Sequence, residues 1–285
     1  MINQPFTTLN NSIKMPLLGL GVYDMYGKQA EQAVSDALEI GYRLVDTAAM
    51  YQNENEIGNA IRNSHIPRNE IFVTTKVADS DQGYESTLKA FDNSLDKMQM
   101  DYVDLFLVHW PVKAKRKDTW MALEKLYADK RVRAIGVANY LVPFLEEMKS
   151  YQSIVPAVDQ VEFTPWLFRK DLLGFCQQNQ IQLQSYSPIT RGKKLDDKRL
   201  SILCKKYNKT PAQVVLRWNI DHGISTIPKS SHKKRLQENF DIMDFSLSAE
   251  FGTRIFLMIC LKIRLVLYIS IKQSLPEINT LKMIQ

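Results

Sequence analysis

The sequence predicts an α/β chain of the (β/α)8 TIM barrel class with an N-terminal β-hairpin. Three observations carry that expectation. Strand-like and helix-like segments alternate in one run through residues 17–240, the pattern of a parallel sheet covered by helices. The alternation gives eight strand-then-helix units, the number that closes a barrel. Three successive apolar strands, Arg43–Asp46, Ile71–Lys76 and Val103–His109, each end on an ionisable side chain. In a barrel all strand C-termini share one pole, and sites are built there.

The elements follow in order. Phe6–Leu9 and Ser12–Met15 flank Asn10-Asn11, a hairpin turn. Leu17–Gly19 is the first barrel strand. Gln29–Ile40 has helical spacing at Ala30, Ala33, Val34, Ala37 and Leu38, and Gly41 ends it. Strand Arg43–Asp46 leads to a helix through Ile57 and Ile61. Ile71–Lys76, entered from Pro67-Arg68-Asn69-Glu70, is short, apolar and β-branched, as a strand buried on both faces is. Then come helix Tyr84–Lys97, strand Val103–His109, helix Asp118–Asp129 and strand Ala134–Ala138. A helix around Phe144–Met148, strand Ala157–Val161, a helix around Asp171–Gln178 and strand Gln182–Tyr186 continue the run. Helices near Asp197–Tyr207 and Pro211–Asp221, strand Ile224–Pro228 and helix His232–Phe240 complete it.

Composition narrows the function classes. A chain of 285 residues with 45% hydrophobic and 24% charged residues is a globular protein with ample material for a core. Net charge is +6, but residues 251–285 hold five Lys/Arg and one Glu, a net +4, which leaves +2 for the rest. That balance, with no basic stripe interleaved by aromatics, gives no reason to expect a nucleic-acid partner. Cys176, Cys204 and Cys260 are odd in number and far apart, as reduced thiols in a cytosol are. The start, Met1-Ile2-Asn3-Gln4-Pro5-Phe6, lacks a cationic then apolar leader, so the expected location is cytoplasmic. We expect no membrane association and a monomer. No HExxH, CxxC or carboxylate cluster points to a metal.

Each strand-end residue has a bland reading by itself. Asp46 could cap a helix, Lys76 could snorkel to solvent, His109 could be a structural histidine, and Tyr51, five residues past Asp46, could merely pack. Together they make a specific device. Asp46 can hold Lys76 charged, and Lys76 beside Tyr51 is expected to lower the phenol pKa. Such a phenol is a proton donor usable near neutral pH, with His109 bonding the same substrate oxygen. The device protonates an oxygen as it becomes alkoxide, which carbonyl reduction requires.

At these residues the chain resembles the aldo-keto reductases. Asp46-Thr47-Ala48 with Tyr51, then Lys76, then His109-Trp110-Pro111 are similar to that family's catalytic tetrad in order and spacing, across residues 5–250. The resemblance implies Tyr51 as general acid, tuned by Lys76 and Asp46, with His109 orienting the carbonyl. Asp81-Gln82-Gly83-Tyr84-Glu85 and Asp118-Thr119-Trp120 resemble the bacterial glyoxal, methylglyoxal and 2,5-diketogluconate reductase branch. The implied cofactor is NADPH. Gly136-Val137-Ala138-Asn139 resembles the motif in which Asn139 binds the carboxamide, joined by Gln160. Ala138 replaces the family's usual serine, a loss of about 1 kcal/mol. Tyr186 is similar to the tyrosine that stacks on nicotinamide, and Ser187 would approach the pyrophosphate. Ile227-Pro228-Lys229-Ser230 with Arg235, Glu238 and Asn239 resembles the adenosine site, where Lys229, Ser230 and Arg235 would hold a 2′-phosphate. Tyr23 and Trp110 are implied to line the substrate pocket.

Other signals lead elsewhere. Gly19-Leu20-Gly21-Val22-Tyr23-Asp24 lacks the third glycine of a dinucleotide fingerprint, and its glycines are expected to permit tight turns. His65, His222 and His232 are expected to be exposed or to cap helices. Two rival functions stay open: an NADPH-binding barrel without turnover, and a Rossmann dehydrogenase, which would need a sheet with open edges.

The pattern stops near residue 250. Ile255–Ile271 has 14 apolar residues in 17, with strand periodicity interrupted by Lys262 and Arg264. Two central cations make it a poor membrane span. We read 251–285 as an aberrant tail bearing the signature of a frame shift, not as a further domain.

Overall fold

A computed structural model describes residues 4–248. The aberrant tail expected at 251–285, with Cys260, lies outside the described residues. The barrel belongs to the compact unit Met1–Ser246.

The chain opens with a two-stranded antiparallel hairpin, β1 (Phe6–Thr8) and β2 (Lys14–Pro16), in register Phe6 to Pro16. Eight parallel strands follow in chain order around one sheet: β3 (Leu20–Gly21), β4 (Leu44–Asp46), β5 (Phe72–Val77), β6 (Val103–Val108), β7 (Val132–Ala138), β8 (Val158–Glu162), β9 (Gln182–Tyr186) and β10 (Ser225–Ile227). Helices α1 (Gly27–Ile40), α2 (Glu54–Asn63), α3 (Tyr84–Met98), α4 (Arg116–Ala128), α5 (Val142–Met148), α6 (Lys170–Gln178), α7 (Leu200–Tyr207), α8 (Pro211–Asp221) and α9 (Lys233–Phe240) fill the connections.

The sheet closes. Leu18 bridges Thr226, the Gly19 amide donates to Thr226 O at 2.9 Å, the Thr226 amide donates to Leu17 O at 2.7 Å, and the Gly21 amide donates to Pro228 O at 3.2 Å. A sheet joined in this way has no open edge there, which removes the Rossmann reading. The first strand also differs from expectation. Leu17–Gly19 serves the closing seam, and pairing with β4 begins only at Leu20, opposite Val45. The stagger of a barrel places these two contacts at different heights on one strand.

Gly19 and Gly21 have a physical role other than the one expected. Neither has a positive φ, so tight turns do not require them. A Cβ on Gly19 would sit 2.1 Å from Leu44 Cδ2, and one on Gly21 would sit 2.9 Å from Ile227 O. Both glycines let neighbouring strands approach.

One pole is plugged. Leu9 and Met15 of the hairpin share a core cluster with Leu44 and Phe72, the first residues of β4 and β5, and with Leu105, Ala134 and Val158. Gln4 donates to the Leu18 carbonyl from the same segment. The opposite pole, where the strands end, is left for chemistry. The helices bury one face each; α1 turns Ala30, Ala33, Val34, Ala37 and Leu38 inward. Helix α8 begins with a reciprocal capping box between Thr210 and Gln213. Helix α4 starts at Arg116, one half-turn before the expected Asp118.

Candidate active site

Asp46 ends β4, Lys76 is the fifth residue of β5, and His109 directly follows β6. Tyr51 ends a short 3-10 turn, Ala49–Tyr51, between β4 and α2. The four residues expected from sequence converge at one pole. Lys76 Nζ donates to Asp46 Oδ1 at 2.6 Å and to Thr47 O at 2.8 Å. The same ammonium lies 5.1 Å from the Tyr51 ring centroid. The Tyr51 ring meets His109 edge-on, centroids 5.7 Å apart, and meets Tyr23 likewise at 5.1 Å.

Electrostatics follow from depth. Burial raises the Asp46 carboxyl, opposed by Lys76 and by the Gln160 amide. Burial disfavours charge on Lys76, but Asp46 and then Tyr51 outweigh it and raise the ammonium. The proton of this pair therefore stays on nitrogen. Tyr51 departs from the expected direction. Lys76 does pull its pKa down, yet burial is the larger effect and the phenol ends above its ordinary value. His109 is pushed down to about 3, by burial first and by Lys76 second, so its imidazole is neutral. Its Nδ1 is buried with no hydrogen-bond partner among the described residues.

Neighbouring loops are tied to this centre. Asn139 has φ 63° and Ser187 φ 47°, left-handed turns at the ends of β7 and β9. Asn139 Nδ2 donates to His109 O at 2.9 Å, and Tyr186 Oη donates to Asn139 Oδ1 at 2.9 Å. Each amide atom of Asn139 keeps one further hydrogen-bonding site. Gln160 spends both amide hydrogens, on Asp46 Oδ2 at 2.7 Å and Gln184 Oε1 at 2.8 Å. Only its carbonyl oxygen remains for a carboxamide. Tyr23 and Trp110 are 50% and 45% exposed, at the open side of the centre.

The expected phosphate-binding group lies at the start of α9. Ser230 is buried, and its hydroxyl receives the His232 amide at 3.2 Å, which forms the turn into the helix. Lys229 and Arg235 are exposed and pair with no carboxylate among the described residues, whereas Lys233 between them is held by Glu39 at 2.6 Å. Lys229 and Arg235, without a carboxylate partner among the described residues, fit an anion at the start of this helix. Glu238 accepts from Thr210 Oγ1 at 2.6 Å, and Asn239 is buried. The other histidines carry no such chemistry: His65 and His232 are exposed, and His222 caps α8 with Nδ1 2.8 Å from Trp218 O.

Sequence reading missed Asn53. It is fully buried, accepts from Thr47 Oγ1 at 2.6 Å, and donates to Val22 O at 2.9 Å and Met25 O at 3.0 Å. One amide thus joins the loop bearing Tyr23 to the loop that runs from the end of β4 to Tyr51. Its place two residues after Tyr51 was the only sequence signal. Gln184, the partner of Gln160, was missed as well. Among the described residues no group of side chains could hold a metal ion, and no helix is long and apolar enough to cross a membrane. Cys176 and Cys204 are free thiols.

A closed parallel barrel with a lysine, a tyrosine, an aspartate and a histidine at its strand ends defines a class of oxidoreductase. The chain belongs to the Aldo/keto reductase family, which it matches over residues 18–256. It is 50% identical over 243 residues to a glyoxal reductase of Bacillus subtilis (strain 168), covering 85% of this chain and 88% of that protein. An aldo/keto reductase structure from Brucella melitensis superposes with a TM-score of 0.86 at 43% identity, covering 89% of this chain and 99% of that one. A Bombyx mori aldo-keto reductase solved in complex with NADP gives a TM-score of 0.84 at 32% identity, covering 90% and 93%.

Proposed function

We propose that this chain reduces small aldehydes, α-dicarbonyls and ketoaldehydes, with glyoxal and methylglyoxal as representative substrates, to alcohols. NADPH, when bound, supplies the hydride that the carbonyl carbon receives. Asn139, Gln160, Tyr186 and Ser187 would hold its nicotinamide half, and Lys229, Ser230 and Arg235 the phosphate of its adenosine half, beside Glu238 and Asn239. The glyoxal reductase relative and the NADP-bound relative support this reading.

The carrying observation is the clasp of Lys76 by Asp46 beneath the Tyr51 ring. A buried phenol with a raised pKa keeps its proton at neutral pH, so Tyr51 is loaded as a general acid. As the substrate oxygen gains negative charge, the Tyr51 proton passes to it. The phenolate left behind faces an ammonium that Asp46 keeps charged. Lys76 therefore stabilises the state formed during transfer more than the state before it, which is how such a group accelerates a reaction. Neutral His109 donates a hydrogen bond to the same oxygen and fixes its direction. Tyr23 and Trp110 line the entry.

The experiment is loss of reduced-nicotinamide absorbance on mixing the chain, NADPH and methylglyoxal. Tyr51→Phe should lower kcat by about a thousandfold or more and leave NADPH affinity near that of the parent. Unchanged turnover would remove Tyr51 as the acid. Tight NADPH binding by the parent chain without turnover would favour the binding-barrel alternative.

A further inference from the structure

Two stretches that the sequence marks out, residues 81–85 and 118–120, take no part in the chemistry above. The fold brings them together. The Gly83 amide donates to Thr119 Oγ1 at 2.9 Å, and that hydroxyl donates to Lys115 O at 2.8 Å. Thr119 is fully buried, so the chain just before α3 is moored to the first turn of α4. Gln82 sits at this mooring, and its own carbonyl receives Ser86 Oγ at 3.0 Å. The backbone that carries the Gln82 side chain is therefore held on both sides.

The side chain reaches across to the loop after β6. Gln82 is 1% exposed, and its Nε2 donates to Trp110 O at 2.7 Å. Trp110 directly follows His109, whose carbonyl receives Asn139 Nδ2 at 2.9 Å. Two consecutive carbonyls are thus held by side-chain amides from the loops after β5 and β7, the strands that flank β6. A carbonyl can only accept, so Gln82 must turn its NH2 group towards Trp110. The Oε1 left over is buried and has no hydrogen-bond partner among the described residues. An orphaned buried acceptor is a cost. Trp110 O does not need Gln82 to be satisfied, because the Val112 amide also donates to it at 2.9 Å. Stability alone does not account for this glutamine, whereas fixing the direction of the Trp110 peptide does.

We propose that Gln82 is a positioning residue for Trp110: it sets the pitch of this half-exposed indole at the entry, and so favours aldehydes with a ring large enough to lie against it. The assignment rests on the reductase reading above. Asn139 secures the His109 end of the segment, beside the acid and the cofactor, and Gln82 secures the Trp110 end. Loss of the Gln82 donor is therefore felt in the choice of substrate and not in the binding of NADPH. An aromatic aldehyde packs its ring on the indole, whereas a three-carbon aldehyde is too short to depend on it.

The test compares benzaldehyde with propanal, each with NADPH, for the parent chain, Gln82→Met and Gln82→Asn. Methionine keeps the shape without the donor, and asparagine keeps the amide but withdraws it by one methylene, so either variant serves if the other does not fold. The ratio of kcat/KM for benzaldehyde over propanal should fall about tenfold in both, through KM for benzaldehyde, with kcat, NADPH affinity and the melting midpoint near those of the parent. In a Trp110→Ala background, adding Gln82→Met should not lower the ratio further. A second readout needs no turnover. Trp120 and Trp218 are 1% and 0% exposed and Trp166 is half-buried, so in a Trp166→Phe background Trp110 is the exposed tryptophan, and rapid depolarisation of its emission should grow on Gln82→Met. A ratio that does not move in a folded variant overturns the assignment. So does an equal fall for both aldehydes, which would make Gln82 merely structural, or a further fall once the indole is gone. A parent chain that reduces no carbonyl compound removes the reductase reading instead, and unchanged depolarisation would still overturn the hold of Gln82 on Trp110.

Discussion

The ammonium of Lys76 lies 2.6 Å from Oδ1 of Asp46, and both side chains are withdrawn from solvent, 0% and 2% exposed. A buried pair of this kind costs more to break than to delete. Removing one partner strands a charge in a medium that cannot solvate it, at about 3–5 kcal/mol, while removing both is far milder. Lys76→Met and Asp46→Asn should therefore each lower the free energy of urea unfolding by a few kcal/mol. The double variant should lose clearly less than the two losses together. Additive losses would mean that the two groups do not depend on each other. Catalysis should separate the residues in another way. Lys76→Met should lower kcat further than Asp46→Asn, because the ammonium faces the phenolate directly and the carboxylate acts through it.

Asn53 provides a second test, of geometry and not of charge. Its side chain satisfies the Val22 and Met25 carbonyls and the Thr47 hydroxyl within a site that is fully buried. Asn53→Ala leaves buried carbonyls without donors, which costs about 2–4 kcal/mol in total. The loops it joins carry Tyr23 and Tyr51, so kcat should fall about tenfold or more through misplacement of the acid, while NADPH affinity stays close to the parent value. Asn53→Asp should be no better, since a carboxylate cannot donate to two carbonyls. Parent-like kcat in a folded Asn53→Ala chain would show that the loops hold themselves.

Much of this arrangement could be read from the chain, for a definite reason. Parallel strands buried on both faces appear as continuous apolar runs, so a charged residue at the end of one stands out. Asp46, Lys76 and His109 were legible on that ground, and helix α1 was legible from its apolar spacing and from Gly41, whose φ of 123° ends it. What escaped depends on partners distant in sequence. The closing seam from Leu17–Gly19 to Thr226 has no local signature, because Leu17–Gly19 and Leu20–Gly21 are equally apolar. Gly19 and Gly21 look like turn residues until Leu44 and Ile227 are placed against them. Asn53 is one amide in a polar loop, and nothing local says that it faces inward. The direction of the Tyr51 shift depended on burial, which the pairing with Lys76 did not reveal.

His109 makes acid sensitivity measurable. An imidazole in an unfolded chain titrates near its ordinary value of about 6.5, whereas burial and then Lys76 hold the folded one down to about 3. Between those values the unfolded chain binds a proton that the folded chain refuses, so acidification favours unfolding. The contribution is whole above about pH 6.5 and is lost as pH falls through the window towards 3, at up to about 1.4 kcal/mol per pH unit. His109→Gln, which is neutral throughout, should lack this slope. Urea unfolding at pH 7.5 and 4.5 should then show the variant losing less stability than the parent on acidification, with the gap opening only below about pH 6.5. Curves that run parallel for the two proteins would mean that the fold does not hold this imidazole neutral. The same refusal of the proton predicts that kcat for methylglyoxal shows no acid limb near pH 6.5, since His109 stays a neutral hydrogen-bond donor well below that point.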